Sequence, residues 1–268
     1  MNSLSRTQTN QAFTKNIHGS LAEAEREQHL RSLYLQLTKE VILNNIYEPG
    51  PHIDEGRHWP PHQALTMIGR KRLDNVQELI ERVLDQSIPG DLIEAGVWRG
   101  GTTIFMRAIL KAYDVHDRKV FVADSFRGVP PIDPQKYPAD SAHEGMDQLE
   151  ILNDNSAERV RENFRRMQLL DDQVVFLEGW FKDTLPSIAT DRLALMRLDG
   201  DLYESTMDAF VNLYPKLSPG GYVIVDDLAL GGCERAVEDY RREHGITEKI
   251  TTIDWTGIYW QKEASLPA

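Results

Sequence analysis

Acidic residues stand at or just after the ends of four apolar runs that are typical of strands. They are Glu94 in DLIEAGVWRGG, Asp124 in KVFVADS, Asp199 in LALMRLDG, and Asp226 and Asp227 in YVIVDDL. The carboxyl ends of parallel strands meet at one edge of a sheet, so these acids are expected to converge. Asp199, Asp226 and Asp227 form an all-oxygen set that suits Mg²⁺, which can hold a hydroxyl and lower its pKa. The alternative is that Asp226 and Asp227 begin a turn and that one of them faces the cleft.

The glycine turn after the first run indicates a cofactor site. Three residues separate Gly96 from Gly100, a spacing that fits the turn that holds S-adenosylmethionine better than the G-x-G-x-x-G dinucleotide fingerprint. Such a turn can also be a plain connection. Asp124 ends the next predicted strand, where a carboxylate either binds the ribose hydroxyls of an adenosyl cofactor or caps a helix. Trp180 and Phe181 follow the third predicted strand and either stack on adenine or belong to the core.

Two residues are candidates for taking a proton from a substrate. Asp201 lies two residues after Asp199, beyond the predicted strand end, and is free to reach a substrate proton rather than a metal. His143, in a long proline-rich segment, has a suitable pKa range for a general base. The alternatives are that Asp201 caps the following helix and that His143 is simply solvated.

Composition narrows the class of protein. The chain has 268 residues, with 30 Lys and Arg against 42 Asp and Glu, which gives a net charge of −12. This charge argues against binding to nucleic acid or to an anionic membrane. The single cysteine, Cys233, excludes an intrachain disulfide and a cysteine-based zinc site. No run approaches transmembrane length and the N-terminus lacks the apolar core of a signal peptide, so a cytoplasmic enzyme is expected.

The order of elements predicts an α/β fold. Five apolar runs alternate with segments of helical periodicity, and two short runs around Thr256 and Gly257 predict a closing hairpin. This order is typical of a doubly wound, Rossmann-like sheet whose core is parallel. The segment 127–155 is long and irregular, which is usual for a functional loop. Thr102 or Thr103 and Ser156 are predicted helix caps.

The N-terminal part is predicted to be separate from the sheet. Residues 1–28 lack a sustained apolar period, so they are expected to form a mobile tail or a loosely docked arm. Residues 30–46 carry an apolar stripe that includes Leu33, Leu37 and Val41, expected to pack on a second subunit or on the sheet domain. A Pro-, Gly- and His-rich segment, 48–61, is a candidate lid. The predicted division is therefore 1–62 for tail, helix and lid, and 63–268 for the main domain.

Several motifs in order resemble one known family. These motifs are LYLQLTKEVILNNIY, ALTMIGRKRLDNVQ, LIEAGVWRGG, VADSFRG, FLEGWFKDTLP, RLDGDLYEST and LSPGGYVIVDDL, spread over roughly residues 30–262. They are similar to the macrocin, mycinamicin and novobiocin group of O-methyltransferases. The resemblance implies a class I methyltransferase sheet of seven strands with an antiparallel last hairpin. It also implies S-adenosylmethionine and Mg²⁺ as cofactors, and a sugar hydroxyl of an antibiotic or related natural product as acceptor.

The resemblance also implies roles for individual residues. Asp199, Asp226 and Asp227 would hold the metal and Asp201 would be the base, with His143 less firmly matched because the loops 130–155 and 48–61 fit the family poorly. The residues implied at the cofactor are Thr66, Met67, Glu94, Gly96, Val97, Trp98, Arg99, Gly100, Asp124, Ser125, Gly179, Trp180 and Phe181. Family members form homo-oligomers through the N-terminal region, which agrees with the apolar stripe.

Other functions stay open on the sequence alone. Methylation of a phenolic or other small-molecule hydroxyl fits the same motifs. A nicotinamide-dependent oxidoreductase is disfavoured because the G-x-G-x-x-G spacing is absent. A non-catalytic relative is disfavoured because the acid set is intact and includes Asp201.

Overall fold

The fold is a seven-stranded sheet with helices packed around it. The computed structural model describes residues 4–153 and 155–263, with side chains described from Glu23 onward. The strand order is β3-β2-β1-β4-β5-β7-β6, and only the pairings of the last two strands are antiparallel. The strands are β1 Asp91–Ala95, β2 Val120–Asp124, β3 Val174–Glu178, β4 Leu193–Leu198, β5 Leu217–Val225, β6 Thr251–Thr252 and β7 Ile258–Gln261. The predicted fold class is confirmed.

The topology explains why the acids come together. The chain starts at the centre with β1, moves outward to β2 and β3, then returns to β4 beside β1 and continues to β5. The order therefore reverses between β1 and β4, and ligands bind at such a reversal, beyond the carboxyl ends of the strands. Both central strands are buried on two faces, which accounts for their continuous apolar sequences.

The helices cover both faces of the sheet and line its carboxyl edge. They are α1 Leu4–Ile42, α2 His52–Glu55, α3 Arg70–Asp85, α4 Gly101–Ala112, α5 Glu150–Asn153, α6 Ala157–Arg166, α7 Phe181–Thr184, α8 Tyr203–Leu213 and α9 Gly231–Glu243. Short 3₁₀ segments occupy Pro138–His143 and Met146–Gln148, so the long predicted loop is only partly irregular. One apolar cluster lies on each face of the sheet.

Helix α1 differs from its prediction in length and in orientation. It begins at Leu4, so most of residues 1–28 are helical, and their role as a mobile tail or a loosely docked arm stays a prediction. The face of α1 that packs on the rest of the chain carries Leu35, Thr38, Lys39 and Ile42, each at most 3% exposed. Arg31 on this helix also donates from Nε to the carbonyl of Ala112, at the end of α4, over 2.9 Å.

The predicted stripe lies on the opposite face of α1. Leu33 and Leu37 are 53% and 57% exposed, so the part of the prediction that packs them on their own chain is wrong. The apolar period was recognised correctly, but the covered face includes Thr38 and Lys39, so the more apolar stripe in the sequence is the one that the chain leaves exposed. Packing of the exposed stripe on a second subunit stays a prediction.

The two predicted capping sites turned out differently. Ser156 accepts a hydrogen bond from the Arg159 amide over 3.2 Å at the start of α6, which confirms that cap. The predicted cap at Thr102 or Thr103 is wrong, because Gly100, at φ +83°, is the N-cap of α4. Thr103 instead donates its hydroxyl to the Gly100 carbonyl over 2.8 Å, which its position inside the first turn permits.

Candidate active site

One cavity of about 620 Å³ opens at the carboxyl edge of the sheet. Gly96 and Trp98 from the turn after β1, Asp124 after β2 and Trp180 after β3 line one side. The four acids Asp199, Asp201, Asp226 and Asp227, which follow β4 and β5, line the other. The outer opening of the cavity, its mouth, is lined by residues of the candidate lid, of the 128–155 loop and of the hairpin between β6 and β7. The cavity therefore spans the point where the strand order reverses.

Three carboxylates form a group that can hold a cation. Asp199, Asp226 and Asp227 each offer an oxygen, and these oxygens lie within 4.8 Å of one another. Asp226 is buried, and the other two are partly exposed toward the cavity. An all-oxygen set of three acids at this spacing matches the preference of Mg²⁺. The structure thus brings together the three residues that the sequence predicted as metal ligands.

A fully buried arginine supports this group from inside the protein. Arg197, in β4, donates from Nη1 to Asp199 Oδ2 over 2.7 Å and also to Glu94, and from Nη2 to Asp226 Oδ1. Its own exposure is 0%. Since a buried charge is costly unless it is paired, the arginine and the acids require each other. The sequence prediction did not include Arg197, although an arginine inside the apolar run LALMRL was the available signal.

The proton affinities of the acids reflect this crowding. Burial raises the pKa of Glu94 to about 8, with Arg197 opposing the shift and Asp199 and Asp226 adding to it. Burial and the neighbouring Asp226 raise the pKa of Asp199, and burial and Asp199 raise the pKa of Asp227 well above its ordinary value. Like charges in a small volume favour protonation unless a cation joins them. The acids are therefore costly to keep ionised together without positive charge beside them, part of which Arg197 supplies.

Asp201 stands apart from the three clustered acids. Its backbone is left-handed at φ +59°, which takes the chain off the strand direction after Gly200. Its amide donates to Asp227 Oδ2 over 3.1 Å, so the cluster fixes its main chain. Burial, then Asp199 and Asp226, raise the pKa of the Asp201 carboxyl well above its ordinary value. A carboxyl with these properties is a stronger proton acceptor than an exposed one.

Asp124 organises the glycine turn on the other side of the cavity. Its Oδ2 accepts from the amides of Val97 and Trp98 over 2.8 and 3.2 Å, and its Oδ1 accepts from Phe126 over 2.7 Å. Trp98 has φ +48°, a rare conformation for an aromatic residue and one that is concentrated at functional sites. Asp124 therefore shapes the turn, in addition to facing the cavity.

Gly96 serves packing within the protein. A Cβ at this position, where φ is +91°, would stand 1.7 Å from the carbonyl oxygen of Asp199. Gly100 is likewise closed in by Val160, 2.5 Å from a built Cβ. These contacts require glycine where the turn approaches the residue after β4 and helix α6. Gly96 also lines the cavity, and the predicted place of these glycines at a cofactor stays a prediction.

The residues predicted at the cofactor fall into two sets. Those that line the cavity are Met67, Gly96, Trp98, Asp124, Ser125, Trp180 and Phe181. Those outside the lining are Thr66, Glu94, Val97, Arg99, Gly100 and Gly179. The second set supports the first: Arg99, for example, packs its guanidinium 4.0 Å from the Trp98 ring and donates to the Ala64 carbonyl over 2.9 Å.

The loops at the mouth are attached to the site by defined contacts. Trp98 Nε1 donates to the Ile151 carbonyl over 2.7 Å, which ties the 128–155 loop to the glycine turn. His143 lies on this loop and lines the cavity. Asp201 lines the same cavity from the segment after β4. On the other side, Trp255 Nε1 donates to the Glu55 carbonyl over 2.9 Å, which ties the candidate lid to the hairpin. Trp59 and Trp255 are 59% and 41% exposed at this mouth.

The comparison with known families decides the class of protein. The Macrocin-O-methyltransferase (TylF) family profile matches residues 2–262. The chain belongs to this family. Its relatives in the family are named as O-methyltransferases, and the protein is accordingly an O-methyltransferase. Among the described residues, no helix combines the length and the apolar character that crossing a bilayer requires.

Three family members illustrate the similarity. The chain is 50% identical to 8-demethyl-8-(2,3-dimethoxy-alpha-L-rhamnosyl)-tetracenomycin-C 4'-O-methyltransferase of Streptomyces olivaceus, over 88% of this chain and 94% of the relative. It is 45% identical to mycinamicin III 3''-O-methyltransferase of Micromonospora griseorubida, over 87% and 97%. The solved structure of the O-methyltransferase NovP superposes with a TM-score of 0.82 at 48% identity, covering 87% of this chain and 99% of that one.

Proposed function

We propose that the protein transfers a methyl group from S-adenosylmethionine to a hydroxyl of a sugar that is attached to a natural product, with Mg²⁺ as the metal. The observation that carries the proposal is the shared cavity. The acid cluster of Asp199, Asp226 and Asp227 and the turn held by Asp124 face the same 620 Å³ space from opposite sides. A methyl donor and a metal-held acceptor need this opposed arrangement.

The donor set fits Mg²⁺ in its chemistry. Carboxylate oxygens are the ligands this ion prefers, and the raised pKa values of Asp199 and Asp227 come from burial and from like charges that a cation would compensate. Mg²⁺ would supply Lewis acidity, which lowers the pKa of a hydroxyl and fixes its orientation. Asp199, Asp226 and Asp227 would hold the ion, and Arg197 keeps two of these carboxylates in place from the interior.

The opposite side of the cavity fits S-adenosylmethionine. S-adenosylmethionine supplies an electrophilic methyl group on a sulfonium, so the protein has to align the acceptor and exclude water. Asp124 presents its carboxylate where an adenosyl ribose binds in sheets of this kind, while Trp180 and Phe181 line the adjoining wall. Met67 and Trp98 add apolar surface to the same side of the cavity.

Asp201 is proposed as the base. It faces the cavity beside the metal cluster, lies outside the set of three mutually close carboxylates, and has a pKa raised by burial and by Asp199. The Asp201 carboxylate would accept the proton of the acceptor hydroxyl as the methyl group is transferred. His143 is the second candidate because it lines the cavity from the 128–155 loop.

The acceptor class comes from the relatives. The two named enzymes, at 50% and 45% identity, act by their names on a rhamnosyl tetracenomycin and on mycinamicin III. The mouth of the cavity is lined by apolar and aromatic side chains that include Trp59, Val129 and Trp255, which suits the apolar part of a glycosylated product. We also propose a homo-oligomer that covers the exposed stripe of Leu33 and Leu37.

A direct assay tests the proposal. Purified protein is incubated with S-adenosylmethionine and with glycosylated macrolides, glycosylated aromatic polyketides, nucleotide sugars and simple phenols, and mass spectrometry measures the gain of a methyl group. We expect methylation of glycosylated products, loss of activity in EDTA and recovery with Mg²⁺. Preferential methylation of phenols or nucleotide sugars would overturn the acceptor class, and full activity in EDTA would overturn the metal.

A further inference from the structure

Arg72 joins the metal cluster to the mouth of the cavity. Its Nη1 donates to Asp226 Oδ2, the carboxylate oxygen that Arg197 leaves free. Its Nη2 donates to the Glu55 carbonyl over 3.1 Å, at the end of α2 in the candidate lid. Its Nε lies 3.0 Å from Asp254 Oδ2 in the hairpin. One guanidinium therefore contacts three separate segments of the chain.

The surroundings of Arg72 leave it little freedom. It is 5% exposed, as is appropriate for a buried charge with two acidic partners. A Cβ at Gly56 would stand 2.6 Å from Arg72 Nη2, and a Cβ at Gly257 would stand 3.0 Å from its Cδ. The lid and the hairpin thus approach the arginine through glycines, which allows both segments to lie directly against it.

The Glu55 carbonyl marks the start of the cavity-lining part of the lid. It accepts from both Arg72 and Trp255, and the next five residues, 56–60, line the cavity. Arg57 also packs its guanidinium 5.1 Å from the Trp255 ring. The position of this acceptor-facing segment accordingly depends on the same guanidinium that holds Asp226.

We propose that Arg72 is a positioning residue that fixes the metal ligand Asp226 and the lid segment 55–60 in one arrangement. This inference rests on the proposed function, because it assigns Asp226 to the metal and segment 55–60 to the acceptor. The planar fork of arginine is essential to it, since a lysine presents one compact charge and cannot donate to Asp226 and to the Glu55 carbonyl in fixed directions while lying against Asp254. Arg72 also lines the cavity, but its polar contacts are all with the protein, and in this scheme it acts through the groups it holds.

The test compares Arg72→Lys with Arg107→Lys. The first variant keeps the positive charge, so a change in Mg²⁺ affinity reports orientation rather than charge. Arg107 is a matched control because it is 4% exposed and donates from two nitrogens to Asp171, away from the cavity. Calorimetry with Mg²⁺ alone measures metal affinity, and limited trypsin digestion with mass detection measures cleavage between Arg57 and His58.

We expect Arg72→Lys to bind Mg²⁺ about 10–100-fold more weakly, the usual effect of losing an outer partner of a metal ligand, and to be cut faster after Arg57. Its acceptor KM should rise, while Arg107→Lys should match the wild type in all three measurements. Gly257→Ala, which places a methyl group 3.0 Å from Arg72 Cδ from the hairpin side and meets only side-chain atoms, should also weaken Mg²⁺ binding although residue 257 is not one of the proposed metal ligands. This second variant tests the coupling if Arg72→Lys does not fold.

The outcomes separate the inference from the proposed function. If the wild type binds no Mg²⁺, the metal role fails and the inference fails with it. If the wild type binds Mg²⁺ but Arg72→Lys or a folded Gly257→Ala binds it equally well and resists trypsin equally, the inference alone is wrong. If Arg72→Lys loses as much thermal stability as Arg107→Lys but keeps the wild-type metal affinity and cleavage rate, the Arg72–Asp226 ion pair has only a structural role.

Discussion

Replacing Glu94 by Gln should remove a large pH dependence from the stability of the metal-free protein. Glu94 is 1% exposed, and burial raises its pKa to about 8 from an ordinary value of 4.5. The native state therefore keeps the Glu94 proton over a pH range in which the unfolded chain has released it. Stability from this group is fully present below about pH 4.5 and is lost as the pH rises toward 8.

The size of the effect follows from the two pKa values. Each pKa unit corresponds to about 1.36 kcal/mol, so the difference between 4.5 and about 8 corresponds to about 5 kcal/mol in full. Between pH 5 and pH 8, the unfolding free energy contributed by Glu94 should change by about 3–4 kcal/mol. The remainder of the change falls below pH 5 and above pH 8. Gln cannot ionise, so the variant should lack this component.

The assay is urea unfolding at pH 5, 6, 7 and 8 in EDTA, followed by fluorescence. From pH 5 to pH 8, the unfolding free energy of the wild type should fall by about 3–4 kcal/mol more than that of Glu94→Gln. Asp199 and Asp227 are present in both proteins, so the difference between the two reports Glu94 together with its coupling to Asp199. Glu178→Gln, at the half-exposed end of β3, is the control for replacing a glutamate by glutamine away from the cluster. Parallel pH profiles for wild type and Glu94→Gln would refute the reasoning.

Further expectations concern cofactor, base and assembly. Asp124→Ala should weaken S-adenosylmethionine binding by about 1.5–3 kcal/mol in calorimetry, the value of hydrogen bonds to a charged group, and unchanged affinity would contradict its role. Asp201→Asn should lower turnover about 10²–10⁴-fold while Mg²⁺ affinity stays near that of the wild type, whereas Asp226→Asn should lose the metal. Normal turnover of Asp201→Asn, or loss of metal by it, would show that Asp201 is not the base. Leu33→Ser with Leu37→Ser should lower the mass seen by light scattering without unfolding the protein, and an unchanged mass would rule out this stripe as the subunit contact.

The convergence of the acids at the carboxyl edge of the sheet was predictable, because residues that follow neighbouring parallel strands lie side by side. Asp199, Asp226 and Asp227 follow strands of simple apolar sequence, and parallel pairing brings their ends together whatever the loops do. The lining role of Asp124 was predictable for the same reason. These inferences needed no knowledge of side-chain packing.

The supporting residues were not predictable in this way. Arg72 meets Asp226 across 154 positions of sequence, and no local pattern indicates such a partner. The orientation of α1 was missed because its buried face includes Thr38 and Lys39, whereas the more apolar stripe of Leu33 and Leu37 is exposed. The packing role of Gly96 and Gly100 was not predicted, because the approach of a turn to a neighbouring element cannot be read from glycine spacing.

The contact between Gly96 and Asp199 has a consequence for how enzymes on this scaffold can change acceptor. The turn on the donor side and the first acid on the metal side touch through main-chain atoms, with no room for a side chain between them. The Asp199 amide also donates to the Ala95 carbonyl over 2.8 Å. Under the proposed function, the backbone thereby fixes the turn beside the donor relative to the first metal ligand. Loops at the mouth would then be able to vary and accept new products without moving these two parts of the site against each other.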